Sequence, residues 1–332
     1  MRKKLLSIIE RFPNTRVAVI ADIIADEFVF GEIRRVSREA PVLILKHAES
    51  RIVPGGGGNA INNLRSLGAV PVPFGCVGRD DAGDALIEVF RTKGIPTAHV
   101  LRVKSCCTTR KTRILASLPH SNRQQVLRID REDGIIPPME SLHRYLSNVL
   151  PLCDGLLISD YGLGSVPNDL SSYPGIRSFA RKSVTTVDSR YRILSYNGLT
   201  AATPNEGEVD AALGVKINDD PDALERAGRK MLRQMQCGAI LITRGNKGMS
   251  LFEPRKRALH IPIYGGEEIT DVTGAGDTVI AAFTLALCCG ATYEEAAILA
   301  NHSGGLVVMK RGTATISREE LMSAIQTDPA LQ

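Results

Sequence analysis

The chain contains no tryptophan, and its seven tyrosines and eight phenylalanines bring aromatics to only 5% of 332 residues. Single-stranded nucleic acid is held by cations interleaved with stacking rings, so no nucleic-acid partner is expected despite a net charge of +5. Long apolar runs are missing too. None reaches the roughly 18 residues of a membrane-spanning helix, and the opening MRKKLLSIIERF is interrupted by Glu10 and Arg11, which does not suit a signal peptide. A cytoplasmic protein with no membrane partner is expected. The seven cysteines (76, 106, 107, 153, 237, 288 and 289) include no C-x-x-C pair and are odd in number, against a disulfide framework or a zinc knuckle. They read as reduced, buried hydrophobes, with the vicinal pairs Cys106–Cys107 and Cys288–Cys289 as alternative redox handles. No internal repeat, low-complexity tract or Pro/Ser-rich linker divides the chain, so one continuous domain over 1–332 is expected.

What is present is the composition of a globular protein, 43% hydrophobic and 23% charged. Apolar runs of strand length, VAVIADII (17–24), VPFGCVG (72–78), GLLISD (155–160), VTTVDS (184–189) and AILITRG (239–245), alternate with amphipathic helical patterns at 83–94, 223–238 and 278–290. That rhythm predicts an α/β domain with a mainly parallel sheet. Two stretches, 26–53 and about 99–130, break it with polar, β-rich alternation and no intervening helix. They predict a small antiparallel sheet outside the main layers, placed to act as a lid.

Two Gly-rich segments can cradle a ligand. Pro54-Gly55-Gly56-Gly57-Gly58-Asn59-Ala60 runs into the helical pattern INNLRSLG, which brings bare backbone N–H groups to a helix N-terminus. Its G-x-G-x-x-A spacing is not a dinucleotide fingerprint, because it follows the polar HAESRIVP and not the first buried strand; a plain tight turn is the other alternative. In the second segment, Asp271-Val-Thr-Gly274-Ala275-Gly276-Asp277, small residues open a long apolar helix with a carboxylate in its first turn. Asp277 is either a favourable charge at a helix start or, beside an anion-accepting N-terminus, the base that phosphoryl transfer to a hydroxyl needs. No G-x-x-x-x-G-K-[ST] is present, so such a kinase works without a P-loop.

These residues resemble the ribokinase-like (PfkB-type) sugar kinases: DVTGAGDTVIAAF is similar to that family's second signature and GGGGNAINNLRSLGA to its first, in the expected order. The resemblance covers essentially the whole chain and implies a three-layer α/β/α domain with a mainly parallel central sheet and an antiparallel β-sheet lid. A narrower likeness lies in FGEIRRVSREAPVLILK (30–46), NRQQVLRID (122–130), LISDYGLG (157–164), TPNEGE (203–208), TRGNKGMSLF (243–252) and KRGTATIS (310–317). It implies the branch that phosphorylates the anomeric hydroxyl of D-glycero-β-D-manno-heptose 7-phosphate for ADP-heptose and the lipopolysaccharide inner core. A kinase for another sugar phosphate or a nucleoside, and a non-catalytic sugar-phosphate-binding regulator, are the alternatives; intact GAGD and N-x-x-E patterns argue against the last.

The resemblance implies roles residue by residue. Asp277 is the base, with Gly274, Ala275 and Gly276 as the anion hole. Asp26 binds sugar hydroxyls, or else caps a turn; Gly56, Gly57 and Asn59 pack on the sugar. Asn205 and Glu208 act on Mg²⁺, through water, and on the nucleotide phosphates, or else form a solvated helix start. Thr243, Gly245 and Gly248 lie near the phosphates and ribose of ATP, Asn301 beside the adenine, and Asp271 at a monovalent-cation (K⁺) site. A sugar phosphate also needs cationic anchors. Arg110, Lys111, Arg113, Arg123 and Arg128 offer them, Arg113 and Arg128 foremost, although a solvated basic face is the alternative; Lys104, Arg34 and Arg35 are weaker candidates. Three positions depart from the family pattern: Ala21-Asp22 replaces Gly-Asp, Leu163 stands where S-D-Y-x-K-G has Lys, and Asp188-Ser189-Arg190-Tyr191 replaces D-P-K-G. Arg190 is a candidate to offset the lost Lys, with a different fork geometry. The chain lacks H-x-G-H, so no nucleotidyltransferase domain is expected and that step is assigned to a separate polypeptide. A homodimer through the lid sheet is expected, since an exposed sheet edge invites pairing.

Overall fold

The computed structural model describes residues 1–117, 123–265, 271–310 and 312–331. In chain order its elements are α1 (Arg2–Glu10), β1 (Arg16–Ala21), β2 (Ile23–Val36), β3 (Leu43–Gly56), α2 (Gly57–Ser66), β4 (Val70–Gly78), α3 (Asp81–Thr92), β5 (Val100–Val103), β6 (Arg110–Ser117) and β7 (Gln124–Arg131). They continue with α4 (Met139–Asn148), β8 (Gly155–Asp160), α5 (Pro174–Ala180), β9 (Val184–Ser189), β10 (Ala201–Ala202), α6 (Glu206–Leu213), α7 (Pro221–Met235), β11 (Ala239–Thr243), β12 (Met249–Phe252), β13 (Leu259–Ile261), α8 (Ala275–Cys288), α9 (Tyr293–Val308) and α10 (Arg318–Thr327). Among the described residues, nine strands form the main sheet in the order β13-β12-β11-β10-β9-β8-β1-β4-β5. Its ladders from β5 to β11 are parallel, and only β11–β12–β13 run antiparallel.

The layering follows from side-chain alternation along β1. Val17, Val19 and Ala21 join a core with Leu64, Phe90, Phe283 and Ala300 of α2, α3, α8 and α9, whereas Ala18 and Ile20 join a second core with Leu142, Tyr145 and Met231 of α4 and α7. A strand buried on both faces must be apolar at every position, which is why RVAVIA shows no period. The helices are fixed at their ends: Asp80 caps α3, and Asn205, Thr292 and Ser317 form capping boxes with Glu208, Glu295 and Glu320.

Three expectations are corrected. The run 17–24 is not one strand, because the chain breaks at Asp22, which keeps β1 in the sheet and sends β2 out of it. The Asp22 carboxylate accepts N–H bonds from Tyr161, Leu163 and Ser165 at 2.8, 3.1 and 2.9 Å, and its carbonyl accepts from Gly57. The lid is a mixed sheet, β3-β2-β6-β7, in which β2 pairs with β6 in parallel; between them the chain returns through β4, α3 and β5, so it re-enters the lid from the same end. Finally, residues 100–103 belong to the main sheet as β5 and not to the lid.

Candidate active site

The site lies where the C-terminal ends of β1, β8, β9, β10 and β11 meet the N-terminus of α8, the place at which open α/β sheets hold ligands. Gly274 adopts φ 78° and opens α8, and a Cβ there would collide with the Asn59 amide. The N–H of Ala275 donates to Val272 O at 3.3 Å, while those of Gly276 and Asp277 have no acceptor among the described residues. The N–H of Gly274 likewise has no acceptor among the described residues, so of the three expected donors only Ala275 is already bonded, and the helix start presents Gly274, Gly276 and Asp277 together with the positive end of its dipole.

Asp277 is 3% exposed. Its Oδ2 accepts from Asn59 Nδ2 at 3.1 Å and its Oδ1 from the Tyr161 hydroxyl at 2.9 Å. Burial pushes this carboxyl up to about 7 against those two donors. Asn59 is tied down in turn by Asn63, which donates to its Oδ1 at 3.1 Å.

A cavity of about 290 Å³ opens in front of Asp277 and is lined by Asp26, Gly56, Lys111, Arg113, Arg128, Tyr161, Asp188, Arg190, Asn205, Glu208 and Gly276 among others. Most of the predicted polar residues converge here, but several are already partnered. Asp26 Oδ1 takes Arg113 Nη1 at 2.6 Å and its Oδ2 accepts from Thr313 at 3.1 Å, so two expected sugar ligands pair with each other. Arg128 chelates Asp130 through two 2.7 Å bonds. The less committed cations are Lys111, whose nearest carboxylate in Glu132 is 3.8 Å away, and Arg190, which has no carboxylate within 4 Å among the described residues.

Asp188 and Glu208 line the same cavity, and the Arg190 charge acts on both. Burial raises both carboxyls, Asp188 far above its usual value and further lifted by the charges of Glu208 and Asp277. Asn205 and Glu208 do cap α6 as the solvated-start reading has it, through 2.9 Å bonds in each direction, and still line the cavity. Gly57 turns away: a Cβ there would strike Ala21, so it serves the packing of α2 on β1.

A second cleft of about 140 Å³ adjoins the first across Thr243, Val272 and Gly276. Its walls are apolar, with Met249, Ile263, Val279 and Val308, and it includes Gly245, Gly248 and Asn301. Asn301 donates to Pro262 O at 2.8 Å and so shapes the wall, and Gly248, at φ 78°, passes too close to Ile261 O for a side chain. Asp271 stands apart from both cavities, with its oxygens accepting from the N–H groups of Thr273 and Gly312 at 2.9 and 3.0 Å. Arg110 pairs with Asp81 and Glu27, and Arg123 lies 4.5 Å over the ring of Phe30. Asn122 and Arg311, in two of the segments quoted for the narrower likeness, fall outside the described residues.

Tyr161, Asp188 and Thr203 are the site residues that sequence reasoning passed over. Each sits at or just past the C-terminal end of a parallel strand, β8, β9 or β10, which is the signal that could have found them.

The mainly parallel sheet, the mixed lid and the paired cavities meeting at a helix N-terminus define a ribokinase-like carbohydrate kinase. The pfkB family carbohydrate kinase model matches residues 15–126 and 183–320, and the chain belongs to that family. It is 38% identical over 322 residues to the bifunctional protein HldE of Desulfatibacillum aliphaticivorans, covering 96% of this chain and 64% of that protein. With the bifunctional protein HldE of Geobacter sulfurreducens it shares 38% identity over 332 residues, 98% of this chain and 66% of that protein. The chain thus spans just under two thirds of the length of these relatives. Among solved structures it is similar to Arabidopsis thaliana ribokinase complexed with ribose and ATP (TM-score 0.74, 18% identity, 95% of this chain and 100% of that one). Escherichia coli phosphofructokinase-2 is comparable, with a TM-score of 0.73, 17% identity and coverage of 94% and 98%.

Proposed function

We propose that this carbohydrate kinase transfers the γ-phosphoryl group of ATP to the anomeric hydroxyl of D-glycero-β-D-manno-heptose 7-phosphate and releases the 1,7-bisphosphate and ADP. The observation that carries the reading is the position of Asp277: a buried carboxylate, held by two donors at the start of α8, that lines a polar cavity rich in cations next to Gly276, which that cavity shares with an apolar cleft. The acceptor assignment rests on the segments of narrower likeness and on the 38% identity to the HldE proteins.

In this reading Asp277 accepts the proton of the anomeric hydroxyl as its oxygen forms a bond to the γ-phosphorus and the bond to the ADP oxygen breaks. The Gly276 and Asp277 N–H groups and the α8 dipole face the charge on the moving phosphoryl group. Lys111 reaches it from the lid and Arg190 from just past β9, while Arg113 and Arg128 are placed for the 7-phosphate once it competes with Asp26 and Asp130 for them. The donor set suits the cofactors. The apolar cleft with its glycines accommodates a purine, and the buried hydroxyl of Thr203, which has no hydrogen-bond partner among the described residues, lies in the wall of the phosphate-side cavity. Asp188, Glu208 and Asn205 are hard oxygen donors, and the two carboxyls raised by burial are ones that a divalent cation would relieve. Mg²⁺ held there, directly or through water, would neutralise phosphate charge. K⁺ near Asp271 belongs to the same proposal.

Purified protein incubated with ATP, Mg²⁺ and a panel of sugar phosphates and nucleosides tests the assignment. Transfer to the heptose 7-phosphate is expected, and transfer only to another acceptor would replace it. A lid-to-lid homodimer is part of the reading, because the outward lid face carries Leu127 and Ile129, 52% and 43% exposed.

A further inference from the structure

We propose that Tyr161 is a positioning residue of this site: its phenol fixes the Asp277 carboxylate in the orientation, and the ionised form, that proton acceptance requires. The inference rests on the reading of Asp277 as the base.

The contact is built from several directions. The backbone of Tyr161 is anchored by its N–H bond to Asp22, whose carboxylate also gathers Leu163 and Ser165, so the loop after β8 has one geometry at this point. Gly56 makes room for the ring, since a Cβ there would come within 3.1 Å of Tyr161 Cε2. The hydroxyl then reaches Asp277 Oδ1 at 2.9 Å. Asn59, the other donor, divides its amide between Asp277 and Gly274 O, whereas a phenol has a single proton to give and gives it here.

The groups facing Asp277 come from every element around it: Asn59 on α2, Tyr161 after β8, Asp26 on β2 and Lys111 on β6, with Asp188 on β9 and Glu208 on α6 adding their charges to the same neighbourhood. Asp26 and burial favour the protonated acid, while Lys111 and the two donors favour the carboxylate. Burial and the adjacent Asp277 charge hold the phenol far above its ordinary ionisation, so it remains a donor throughout the working range. Lys111 Nζ, 5.4 Å over the same ring, ties the lid to this contact.

Tyr161→Phe keeps the ring and removes only the hydroxyl. It is expected to lower kcat about ten-fold or more, to leave KM for ATP within about two-fold, and to move the acid limb of the kcat profile to higher pH. In an Asp277→Asn background the same change is expected to have no further effect on the residual rate. Tyr161→His, which restores a ring donor, is expected to recover part of the loss and provides the comparison should Tyr161→Phe fold poorly. Titration of ¹³C-labelled aspartates, with Asp277 assigned by its loss in Asp277→Asn, reads the contact without any acceptor; its midpoint is expected to rise in Tyr161→Phe. An unchanged midpoint and acid limb, or losses that multiply in the double variant, would overturn the proposal. Failure of the wild type to phosphorylate any acceptor would instead remove the base reading, while the titration still decides whether the phenol controls the carboxyl.

Discussion

At Asp277 two opposed effects set the chemistry: burial favours the neutral acid, and the bonds from Asn59 and Tyr161 favour the carboxylate. A carboxyl brought up to about 7 is half-ionised near neutrality, so activity is expected to fall as pH drops through that value, an acid limb that a pH–rate profile of kcat will show. Asp277→Asn keeps the helix start and removes the proposed base, and is expected to abolish turnover while leaving ATP affinity nearly unchanged, as measured by calorimetry. The same group leaves a mark on stability. Its folded pKa lies above the unfolded value near 3.9, so the native state binds the extra proton between about pH 4 and 7 and the wild type loses stability as pH rises through that window. In Asp277→Asn that loss is expected to be absent, so thermal midpoints of the two proteins compared from pH 4 to 8 should converge toward acid and favour the variant toward base.

Among the elements, α8 and the lid carry the site. The start of α8 depends on the left-handed Gly274, where alanine meets both a conformational cost of about 1–2 kcal/mol and a collision with the Asn59 amide. Gly274→Ala is expected to lower the thermal midpoint modestly and kcat severely, because the displaced amide is one of the two donors to Asp277. The element boundaries show what periodicity can read. The strands expected at 155–160 and 184–189 coincide with β8 and β9, since each is a short apolar run closed by a polar residue. The break at Asp22 was not legible, because Ile23, Ile24 and Ala25 are as apolar as β1 and only the distant N–H groups of 161–165 require a carboxylate there. The parallel pairing of β2 with β6 was equally hidden, since alternation within a strand is the same whichever way its neighbour runs.

For the whole molecule, the lid's outer face decides the state of assembly in the proposed reading. Leu127→Glu is expected to convert a dimer to a monomer in light scattering while leaving the thermal midpoint of the chain nearly unchanged, because Leu127 is half-exposed in the single chain. Sequence by itself determined the α/β class and singled out the two Gly-rich segments and the base candidate, because those rest on local patterns: apolar runs, small residues at a helix start and a carboxylate one position on. Tertiary structure alone decided which charges are available. Asp26 with Arg113 and Arg128 with Asp130 neutralise one another, whereas Lys111 and Arg190 stay open to the cavity and Tyr161 arrives at Asp277 from 116 positions away. Hydrogen bonds and ion pairs act over about 3 Å in space, and no spacing along the chain encodes a contact made by strands that meet only when the sheet is complete.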